Sequence, residues 1–498
     1  MFPPVTHPTE IAEPQQPAPR KKHLVHVAAI REWARTKAGR QSRWSLPSDF
    51  FRTSSEDYLK FLVPENQRIL SLGCGAGDTM AGLNPAFGLG IDLDASALQI
   101  AQNKYPRLQF MEGDMEDADL IEQIAQNLPF DVVLLDGSLG YLDDIQTFLT
   151  RLQVVCNEDT RVVSVYYGYL WEPVLRLAEK LQLREPSLDT TWLRMGDVEN
   201  FMTLGGFETI KKEWRVLLPF RMFGLGNLVN RYVAPLPWIR RLALSHYLVA
   251  RKMPKYSLQE HSVSVVIPCR NERGNIEPAI QRLPKLGSGT EIIFVEGHST
   301  DGTWEEVKRV QKIYPGLDIS ILQQTGEGKG DAVRAGFDLA KGDILMILDA
   351  DLTVPPEDLE KFFEIICSGK GEYVNGSRLI YGMENQAMRF LNFLANHFFA
   401  LVFTFLINQR LTDTLCGTKV LTRKNYQRIK AGRTYFGTFD PFGDFDLIFG
   451  ASKLNLKFAE VPVRYASRRY GSTQISRFRH GLLLLRMVVF AYRKLKAI

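Results

Sequence analysis

Cysteine is scarce and scattered in this chain of 498 residues. The five cysteines are Cys74, Cys156, Cys269, Cys367 and Cys416, and no two of them have the spacing of a zinc-ligand or redox pair. Neither a structural zinc site nor a disulfide framework is therefore expected. Reduced cytosol is the expected compartment.

Long apolar runs are also missing. Residues 1–22 are rich in proline and polar residues and contain no apolar stretch of a secretory signal, so they predict a disordered tail. No window of about 20 residues is apolar throughout. Arg389, Asn392 and Asn396 interrupt one candidate, and Arg486 interrupts the other. The sequence therefore predicts no membrane-spanning helix.

Charge of one sign is not concentrated either. The formal net charge is +5, and the chain contains no basic stripe or recognisable nucleic-acid-binding motif. Nucleic acid is therefore not an expected partner. An anionic small ligand and an anionic membrane surface both fit the mild positive excess.

Short apolar runs alternate with helical stretches in two successive series. The first contains RILSL, GLGID, LQFMEGD, FDVVLLD and RVVSVYYG, and the second contains SVSVVIP, EIIFVEG, DISILQQ, DILMILDAD and EYVNGSR. Such runs are typical of buried parallel strands in α/β folds. A polar bridge, PKYSLQEHS, separates the two series. The pattern predicts a tail at 1–22 and two doubly wound α/β domains, at 23–255 and 256–498.

The first two strand ends of the first series carry groups suited to a nucleoside cofactor. Gly73, Gly75 and Gly77 follow the first strand, and glycines permit a tight turn and close approach of a ligand. Asp92 ends the second strand, where a carboxylate can accept both ribose hydroxyls. The glycine motif alone is weak, because many plain strand-to-helix turns look the same.

The next two strands end in a similar way. Asp114 and Met115 follow the third strand, where an acid and the next backbone N–H can hold an adenine edge, and Asp136 ends the fourth. Each acid alone is typical of a helix cap or a surface, but the ordered set favours a cofactor site. Residues 60–253 resemble the class I S-adenosylmethionine-dependent methyltransferases.

This resemblance implies a Rossmann-like fold that binds S-adenosylmethionine (SAM). It implies that the three glycines line the methionine part of the cofactor, that Asp92 binds the ribose and that Asp114 binds the adenine. Ser71 departs from the family, since many members carry an acid at that position. Two interpretations stay open: an active methyltransferase whose acceptor and base are unidentified, and a non-catalytic binding module.

Strand ends of the second series are acidic or rich in glycine. The apolar run DILMIL leads into Asp349 and Asp351, and paired carboxylates there can hold Mg²⁺ or Mn²⁺ against a diphosphate. A glycine loop places Lys329 at a helix start, where N–H groups and an ammonium suit an anion. A D-x-D pair is usually a solvated turn, but its position directly after a buried strand favours a metal site.

The second series resembles family 2 glycosyltransferases with the GT-A fold, most closely the dolichyl-phosphate mannose or polyprenyl-phosphate sugar synthase branch. The resemblance covers roughly 260–478. It implies a nucleotide-sugar donor site formed by Pro268, Arg270, Asn271, Glu272, Glu296 and Lys329. It implies metal binding by Asp349 and Asp351, and an acceptor or phosphate side formed by Arg378, Asp413, Arg468, Arg469 and Ser472. Asp444 and Asp446 stand at the family's late acidic position.

Two departures from this family bear on the substrates. Glu296 and Gly297 replace the usual paired aspartates, which leaves the nucleotide open, and Gln474 stands where the lipid-phosphate branch usually has lysine. The implied reaction is an inverting displacement at the anomeric carbon. A polyprenyl or dolichyl phosphate acceptor is already an anion, whereas a hydroxyl acceptor would need Asp444 or Asp446 as general base. Both acceptors stay open.

Two strongly apolar segments, 387–407 and 475–496, predict contact with a membrane surface. Arg479, Arg486 and Arg493 in the second segment recur at intervals of seven, which places them on one helical face. A helix packed on the domain with solvated arginines explains the same pattern equally well. The expectation is a cytoplasmic protein with at most peripheral attachment to the cytoplasmic membrane face.

Overall fold

The structure, a computed structural model, describes residues 27–32, 45–127, 129–182, 191–254, 261–378, 390–436, 445–464, 466, 468, 470 and 477–498. Its strands form two sheets of seven strands each. All strands of the first sheet lie between residues 68 and 252, and all strands of the second lie between 262 and 462.

The first sheet has the strand order β3-β2-β1-β4-β5-β7-β6. Its strands are β1 Arg68–Leu72, β2 Phe87–Asp92, β3 Gln109–Glu112, β4 Val132–Asp136, β5 Arg161–Tyr167, β6 Phe207–Arg215 and β7 Ser245–Lys252. Strands β1 to β5 pair in parallel, and β7 runs antiparallel to both β5 and β6.

The second sheet has the order β10-β9-β8-β11-β13-β12-β14. Its strands are β8 Ser262–Cys269, β9 Gly289–Glu296, β10 Asp318–Gln323, β11 Ile344–Ile347, β12 Tyr373–Ser377, β13 Lys419–Thr422 and β14 Phe458–Pro462. Strand β13 is antiparallel to its neighbours β11 and β12.

Helices connect most of these strands. The longer helices of the first half are Ser45–Leu62, Ala95–Lys104, Ala118–Ala125, Ile145–Leu152, Glu172–Lys180 and Met195–Leu204. Those of the second half are Thr303–Ile313, Lys329–Leu339, Leu359–Cys367, Phe390–Ile407, Arg423–Ala431, Phe445–Lys453 and Arg477–Leu495. None of the helices in the described ranges combines the length and the apolar character that crossing a bilayer requires.

The fold confirms the predicted pair of doubly wound α/β units. The apolar runs become strands because parallel strands of such folds are covered on both faces. All four residues of β11 are buried, for example, and so are four of the five in β4. The order of the parallel strands reverses between β1 and β4 in the first sheet and between β8 and β11 in the second. Ligands of open α/β sheets bind at the carboxyl ends of the strands at such a reversal.

The two halves share a core. One hydrophobic cluster contains Tyr58, Leu62 and Val249 from the first half together with Phe445 and Met487 from the second. Buried charged groups also connect the halves: Arg161 Nη2 donates to Glu372 Oε1 at 2.6 Å. The two sheets therefore belong to one packed body within the described ranges.

Candidate active sites

The Asp349 and Asp351 carboxylates emerge at the strand-order reversal of the second sheet. Strand β11 is fully buried and pairs with β8, and Leu348 behind it is buried as well. The side chain of Asp349 is then 27% exposed and that of Asp351 14% exposed. The change from an apolar strand to two partly accessible carboxylates occurs at the edge where a ligand is expected.

Asp349 is paired with a lysine at a helix start. Lys329 Nζ lies 2.7 Å from Asp349 Oδ1, and Lys329 is the first residue of the helix Lys329–Leu339. A Cβ built on Gly417 would overlap the Asp349 carboxylate and lie 2.5 Å from Lys329 Nζ. Gly417, in the segment between β12 and β13, therefore leaves the space that this ion pair occupies.

The electrostatics around Asp349 favour its ionised form. Burial alone would raise its pKa, but the nearby cations Lys329, Lys419 and Arg378 outweigh burial and hold the pKa below its usual value. A metal-binding or phosphate-positioning carboxylate must be ionised at neutral pH, and Asp349 meets that requirement.

Asp351 is held from two sides. Its Oδ1 accepts hydrogen bonds from the backbone N (3.1 Å) and Oγ1 (2.8 Å) of Thr353. Its Oδ2 accepts from Arg468 Nη2 at 2.6 Å. The other terminal nitrogen of Arg468 donates to Glu272 Oε1 at 3.2 Å. Arg468 therefore bridges the segment after β11 and the segment after β8.

Glu272 shares a buried environment with these charges. Its backbone N donates to Thr303 Oγ1 at 3.0 Å, and its Oε2 accepts from Asn275 Nδ2 at 2.7 Å. Burial raises the pKa of Glu272, the Asn275 amide and Arg468 oppose the rise, and Asp351 adds to it. Glu272 is therefore a carboxyl group whose protonation is sensitive to the cation beside it.

Glu296 and Asn271 organise the loop after β9. Glu296 is 1% exposed, and its two oxygens accept from Ser299 N at 2.5 Å and Gln323 Nε2 at 3.1 Å. Burial opposes ionisation of Glu296, but these hydrogen bonds hold its pKa below the usual value. Asn271 donates from its backbone to Ser299 Oγ at 2.9 Å, and its Oδ1 accepts from Thr300 N at 2.9 Å. Both side chains fix the loop shape in this structure.

The remaining donor-side residues lie at the end of β8. Pro268 is the penultimate residue of this strand, and Arg270 follows it with an exposed side chain. A Cβ built on Gly297 would lie 3.4 Å from the Arg270 Cβ. The segments that follow β8 and β9 therefore lie side by side, with room for a small side chain at position 297.

The acceptor-side residues Arg378 and Asp413 form a two-pronged ion pair. Arg378 Nε donates to Asp413 Oδ2 at 2.7 Å and Nη2 donates to Oδ1 at 2.8 Å. The backbone N of Arg378 also donates to Oδ2 at 3.1 Å. Burial would raise the pKa of Asp413, but Arg378 lowers it. This pair stabilises the end of β12 beside the segment that leads to Gly417.

Asp446 belongs to a different group of charges. It lies 3.3 Å from Arg433 Nε and 3.8 Å from Arg334 Nη1, on the helix Phe445–Lys453. Asp444, Arg469, Ser472 and Gln474 lie outside the described residues. The structure therefore brings together Lys329, Asp349, Asp351, Glu272 and Arg468, and it shows Asp446 paired with arginines of other segments.

In the first half, the glycine turn has the conformation that its sequence predicts. Gly73, Gly75 and Gly77 have φ of 76°, 51° and 76°, a region that disfavours side chains. A Cβ on Gly73 would come within 2.8 Å of Ser138, and one on Gly77 within 2.8 Å of Phe110. A Cβ on Gly75 would meet nothing within 4 Å. Gly75 is thus the glycine that faces open space, where a ligand can approach the backbone.

Asp92 is hydrogen-bonded to this turn. Its Oδ2 accepts from Gly75 N at 2.7 Å, and its Oδ1 accepts from Asp94 N at 2.9 Å. Burial raises the pKa of Asp92, and the two backbone donors oppose that rise. Each carboxylate oxygen has a second lone pair, so Asp92 can still accept a hydroxyl of a ligand.

The carboxylates after β3 and at the end of β4, Asp114 and Asp136, accept local hydrogen bonds. Asp114 Oδ1 accepts from Glu116 N at 3.0 Å, and Met115 packs partly buried against the core of the first half. Asp136 Oδ2 accepts from Thr79 Oγ1 at 2.9 Å, and burial raises the pKa of Asp136. Strands β1 to β4 are parallel, so all these groups lie along one edge of the sheet.

The residues present fit both groups that the resemblances imply. The described residues contain no cluster of three or more acidic, histidine or cysteine side chains able to hold a metal. Asp349 and Asp351 would thus offer two carboxylates, which suits Mg²⁺ completed by substrate phosphates and water. In the first half, the open space at Gly75 beside Asp92 suits a nucleoside cofactor.

The family resemblance places the stretch CGTK, residues 416–419, on the acceptor side, but it does not predict the contacts of Gly417 and Lys419, and Thr353 was not identified from the sequence. Lys419 is fully buried at the start of β13, where its Nζ donates to Cys416 O. Thr353 anchors Asp351, and Gly417 lies against Asp349. The signal for Thr353 was available, because a threonine two residues after an aspartate often bonds back to it. No local signal could have placed Gly417 beside Asp349.

Family models match both halves of the chain. Residues 264–428 match the model described as glycosyl transferase family 2. Residues 69–159 match the model described as methyltransferase domain. The chain therefore contains one segment that matches family 2 glycosyltransferases and another that matches a methyltransferase domain. Dolichol-phosphate mannosyltransferases are among the curated proteins to which it is similar.

The chain is similar to named proteins over only part of their length. A dolichol-phosphate mannosyltransferase of Pyrococcus furiosus is 38% identical over 123 residues, 24% of this chain and 34% of that protein. An undecaprenyl-phosphate 4-deoxy-4-formamido-L-arabinose transferase of Pseudomonas fluorescens is 24% identical over 230 residues, 44% of this chain and 62% of that protein. The chain thus spans less than two thirds of either relative.

Part of the chain is also similar to solved structures. A SAM-dependent methyltransferase of Thermotoga maritima, a possible histamine N-methyltransferase, is 17% identical. The match covers 46% of this chain and 99% of that protein, with a TM-score of 0.32.

Proposed function

We propose that the second half transfers a sugar from a nucleotide-sugar donor to a polyprenyl or dolichyl phosphate, with inversion and with Mg²⁺ or Mn²⁺. The observation that carries this proposal is the pair Asp349 and Asp351 at the strand-order reversal, each contacted by a cation, Lys329 or Arg468. Two carboxylates and two cations around one edge suit a diphosphate and its metal. The names of the two relatives support a lipid phosphate as acceptor.

Different side chains of the site would bind the metal, the diphosphate and the nucleotide. Asp349 and Asp351 would hold the metal, and bound metal would offset the charge that builds on the departing diphosphate. Lys329 and Arg468 would exchange their carboxylate partners for diphosphate oxygens. Glu272 and Asn271, after β8, would border the nucleotide.

The bond changes are those of a single displacement. A phosphate oxygen of the acceptor bonds to the anomeric carbon, the bond from that carbon to the donor diphosphate breaks, and the nucleoside diphosphate leaves. The attacking oxygen is already anionic, so no general base is needed. Catalysis then depends on positioning and on charge stabilisation.

The test uses purified full-length protein with Mn²⁺ or Mg²⁺, labelled UDP- and GDP-sugars, and polyprenyl phosphate in detergent. Metal-dependent transfer of label to the lipid, lost in Asp351→Asn, is the expected result. Asp318→Asn is the matched control, because Asp318 is exposed at the amino end of β10, and it should transfer normally. The proposal would be refuted if the parent protein showed no sugar transfer and no donor binding under any of these conditions.

A hydroxyl acceptor is the second candidate. Gln474 favours it, because the lipid-phosphate branch usually has lysine there. Asp444 or Asp446 would then be the general base, although Asp446 is paired with Arg433 here. Metal-dependent hydrolysis of the donor without lipid labelling would favour this candidate. Loss of that hydrolysis in Asp446→Asn would identify the base.

We also propose that the first half binds SAM and transfers its methyl group, through Gly75, Asp92 and Asp114. The open space at Gly75 beside Asp92 supports binding. Calorimetry with SAM should detect binding in the parent protein and in Asp117→Ala, which changes only an exposed helix cap. Asp92→Ala should weaken it. Binding without methyl transfer to any lipid or sugar product would support the alternative of a non-catalytic module.

Attachment to the cytoplasmic face of a membrane completes the proposal. The acceptor of the lipid-phosphate reaction lies in a bilayer, so the enzyme must reach it there. The helix Arg477–Leu495 exposes Arg486 and Arg493 on one face, as the interval of seven predicts, and the side chain of Arg479 lies outside the described residues. These arginines and the neighbouring helix Phe390–Ile407 would face the lipid.

A further inference from the structure

The segment between β6 and β7, residues 216–244, exposes the largest apolar side chains of the described molecule. The Phe223 side chain is fully exposed, and that of Trp238 is 86% exposed. Four other apolar side chains of this segment are each more than half exposed: Phe220, Met222, Leu228 and Leu242. Scattered exposed apolar residues are common in soluble proteins, but a concentration of this kind marks a contact surface. This surface lies in the methyltransferase half, outside the glycosyltransferase helices discussed above.

The charge of this segment has one sign. It contains Arg221, Arg231, Arg240 and Arg241, and no acidic residue occurs between Glu213 and Glu260. Arg221 and Arg241 are exposed. Aromatic and aliphatic side chains interspersed with arginines are the composition of segments that lie in the interface of an anionic membrane.

The segment is held in a defined shape that projects Phe223. Asn230 Oδ1 accepts from the backbone N of Leu217 and of Leu218, both at 2.9 Å. Met222 and Phe223 have φ of 42° and 54°, a backbone region that costs energy for residues with side chains. A bulky apolar residue in a strained turn, pointing into solvent, has no packing role in the described molecule.

The exposed surface continues onto the glycosyltransferase half. Tyr492 Oη donates to Tyr232 O at 2.9 Å, and Arg240 Nη1 donates to Asn408 Oδ1 at 3.1 Å. Leu482, Leu485 and Val489 are exposed and, by helical spacing, form one stripe that leads to Tyr492. The segment thus extends the surface of the helix Arg477–Leu495 across the boundary between the halves.

We propose that residues 216–244 insert Phe223 and Trp238 into the headgroup region of an anionic phospholipid bilayer, with Arg221 and Arg241 at phosphate level. Charge complementarity selects an anionic bilayer as the occupant, because the segment has four cations and no acid. The inference draws on the proposed function only in that a lipid-linked acceptor would then lie beside the same surface.

The test is co-sedimentation of the full-length protein with vesicles that contain no polyprenyl phosphate. The vesicles are phosphatidylcholine alone or phosphatidylcholine mixed with phosphatidylglycerol. The parent protein should bind the mixed vesicles and release them at high salt. The double variant Phe223→Ser with Trp238→Ser should bind on the order of tenfold or more weakly. Arg221→Glu with Arg241→Glu should lose the preference for phosphatidylglycerol.

A matched control separates insertion from general stickiness. Val154→Ser with Ile313→Ser removes two side chains that are 54% and 48% exposed elsewhere, and it should bind as the parent does. All variants should keep the parental melting temperature, because the changed side chains are exposed. The fluorescence of the parent should shift to the blue on mixed vesicles, and Trp238→Phe should lose most of this shift.

Absence of binding by the parent, or parental binding by the aromatic double variant, would overturn the inference. Self-association that the aromatic double variant abolishes, without vesicle binding, would overturn it in favour of a second copy. Asp351→Asn should bind vesicles normally although it transfers no sugar. Vesicle binding by the parent protein without sugar transfer would refute only the proposed function. Transfer in detergent without vesicle binding would refute only the membrane surface.

Discussion

Lys496 Nζ donates to Glu213 Oε2 at 2.7 Å and so joins the residue that follows the helix Arg477–Leu495 in the second half to β6 of the first. Both side chains are buried, with exposures of 0% and 2%. Burial would raise the pKa of Glu213, but Lys496 and Arg215 outweigh it and lower that pKa. Burial lowers the pKa of Lys496 to about 8. Buried charged side chains that stabilise one another therefore lie at the boundary between the halves.

Breaking this pair should destabilise the whole protein. Lys496→Met leaves the Glu213 carboxylate buried without its closest cation, and loss of one partner of a buried pair costs about 3–5 kcal/mol. The free energy of unfolding, measured with denaturant, should fall by that amount. The control is Lys424→Met, because Lys424 also pairs across the halves, with Asp159, but is 66% exposed. The control should change stability by less than about 1 kcal/mol; equal losses in both variants would contradict the expectation.

A second buried lysine predicts an unusual dependence of stability on pH. Lys211 Nζ donates to Ser452 O at 2.7 Å, and burial lowers the pKa of Lys211 to about 7. An unfolded lysine titrates near 10.4. Between these values the unfolded chain binds more protons than the folded one, so this group makes stability rise with pH.

The expected size of that effect can be measured against a variant. From pH 7 to 9, the parent should gain about 2 kcal/mol more unfolding free energy than Lys211→Met, at 1.36 kcal/mol per pKa unit. Lys212→Met, which removes a partly exposed neighbour paired with Glu199, should keep the parental slope. A parental slope in Lys211→Met would show that Lys211 is not the titrating group.

Much of the fold could be predicted because its signals are local. A parallel strand covered on both faces needs an unbroken apolar run, and β4 and β11 have one. The predicted strands β9, β10 and β12 are also present. The short antiparallel strand β13 was not identified. It has four residues and starts with Lys419, so neither its length nor its pattern distinguishes it from a loop.

The parts of the site that could not be predicted depend on distant contacts. Asp349 and Asp351 were predicted as site residues because they follow a buried strand. The contact of Arg468 with Asp351 and the position of Gly417 against Asp349 join segments far apart in sequence. Such contacts form only once the second sheet has assembled, so no local sequence pattern predicts them. The same holds for the charged boundary between the halves.

Gly417 should be intolerant of a side chain. Gly417→Ala would place a Cβ in the volume of the Asp349 carboxylate and close to Lys329 Nζ, so that ion pair must move. A displacement of about 1 Å at a reacting centre can cost roughly 100-fold in rate. Sugar transfer should fall by that order, while circular dichroism stays normal. Gly316→Ala is the control, since a Cβ there meets nothing within 4 Å; normal transfer by Gly417→Ala would contradict this role.

Arg468 should depend on its planar guanidinium rather than on charge alone. It donates from two nitrogens to Asp351 and Glu272 in this structure, and in the proposed reaction the same two nitrogens would bind diphosphate oxygens, an arrangement that a lysine ammonium reproduces poorly. Charge-assisted hydrogen bonds contribute about 1.5–3 kcal/mol each, so Arg468→Lys should lower kcat/KM for the donor roughly 10- to 100-fold. Arg282→Lys is the matched control, because Arg282 also binds a carboxylate, Glu357, with two nitrogens but in an exposed position. Full activity in Arg468→Lys would show that a positive charge is sufficient at this position.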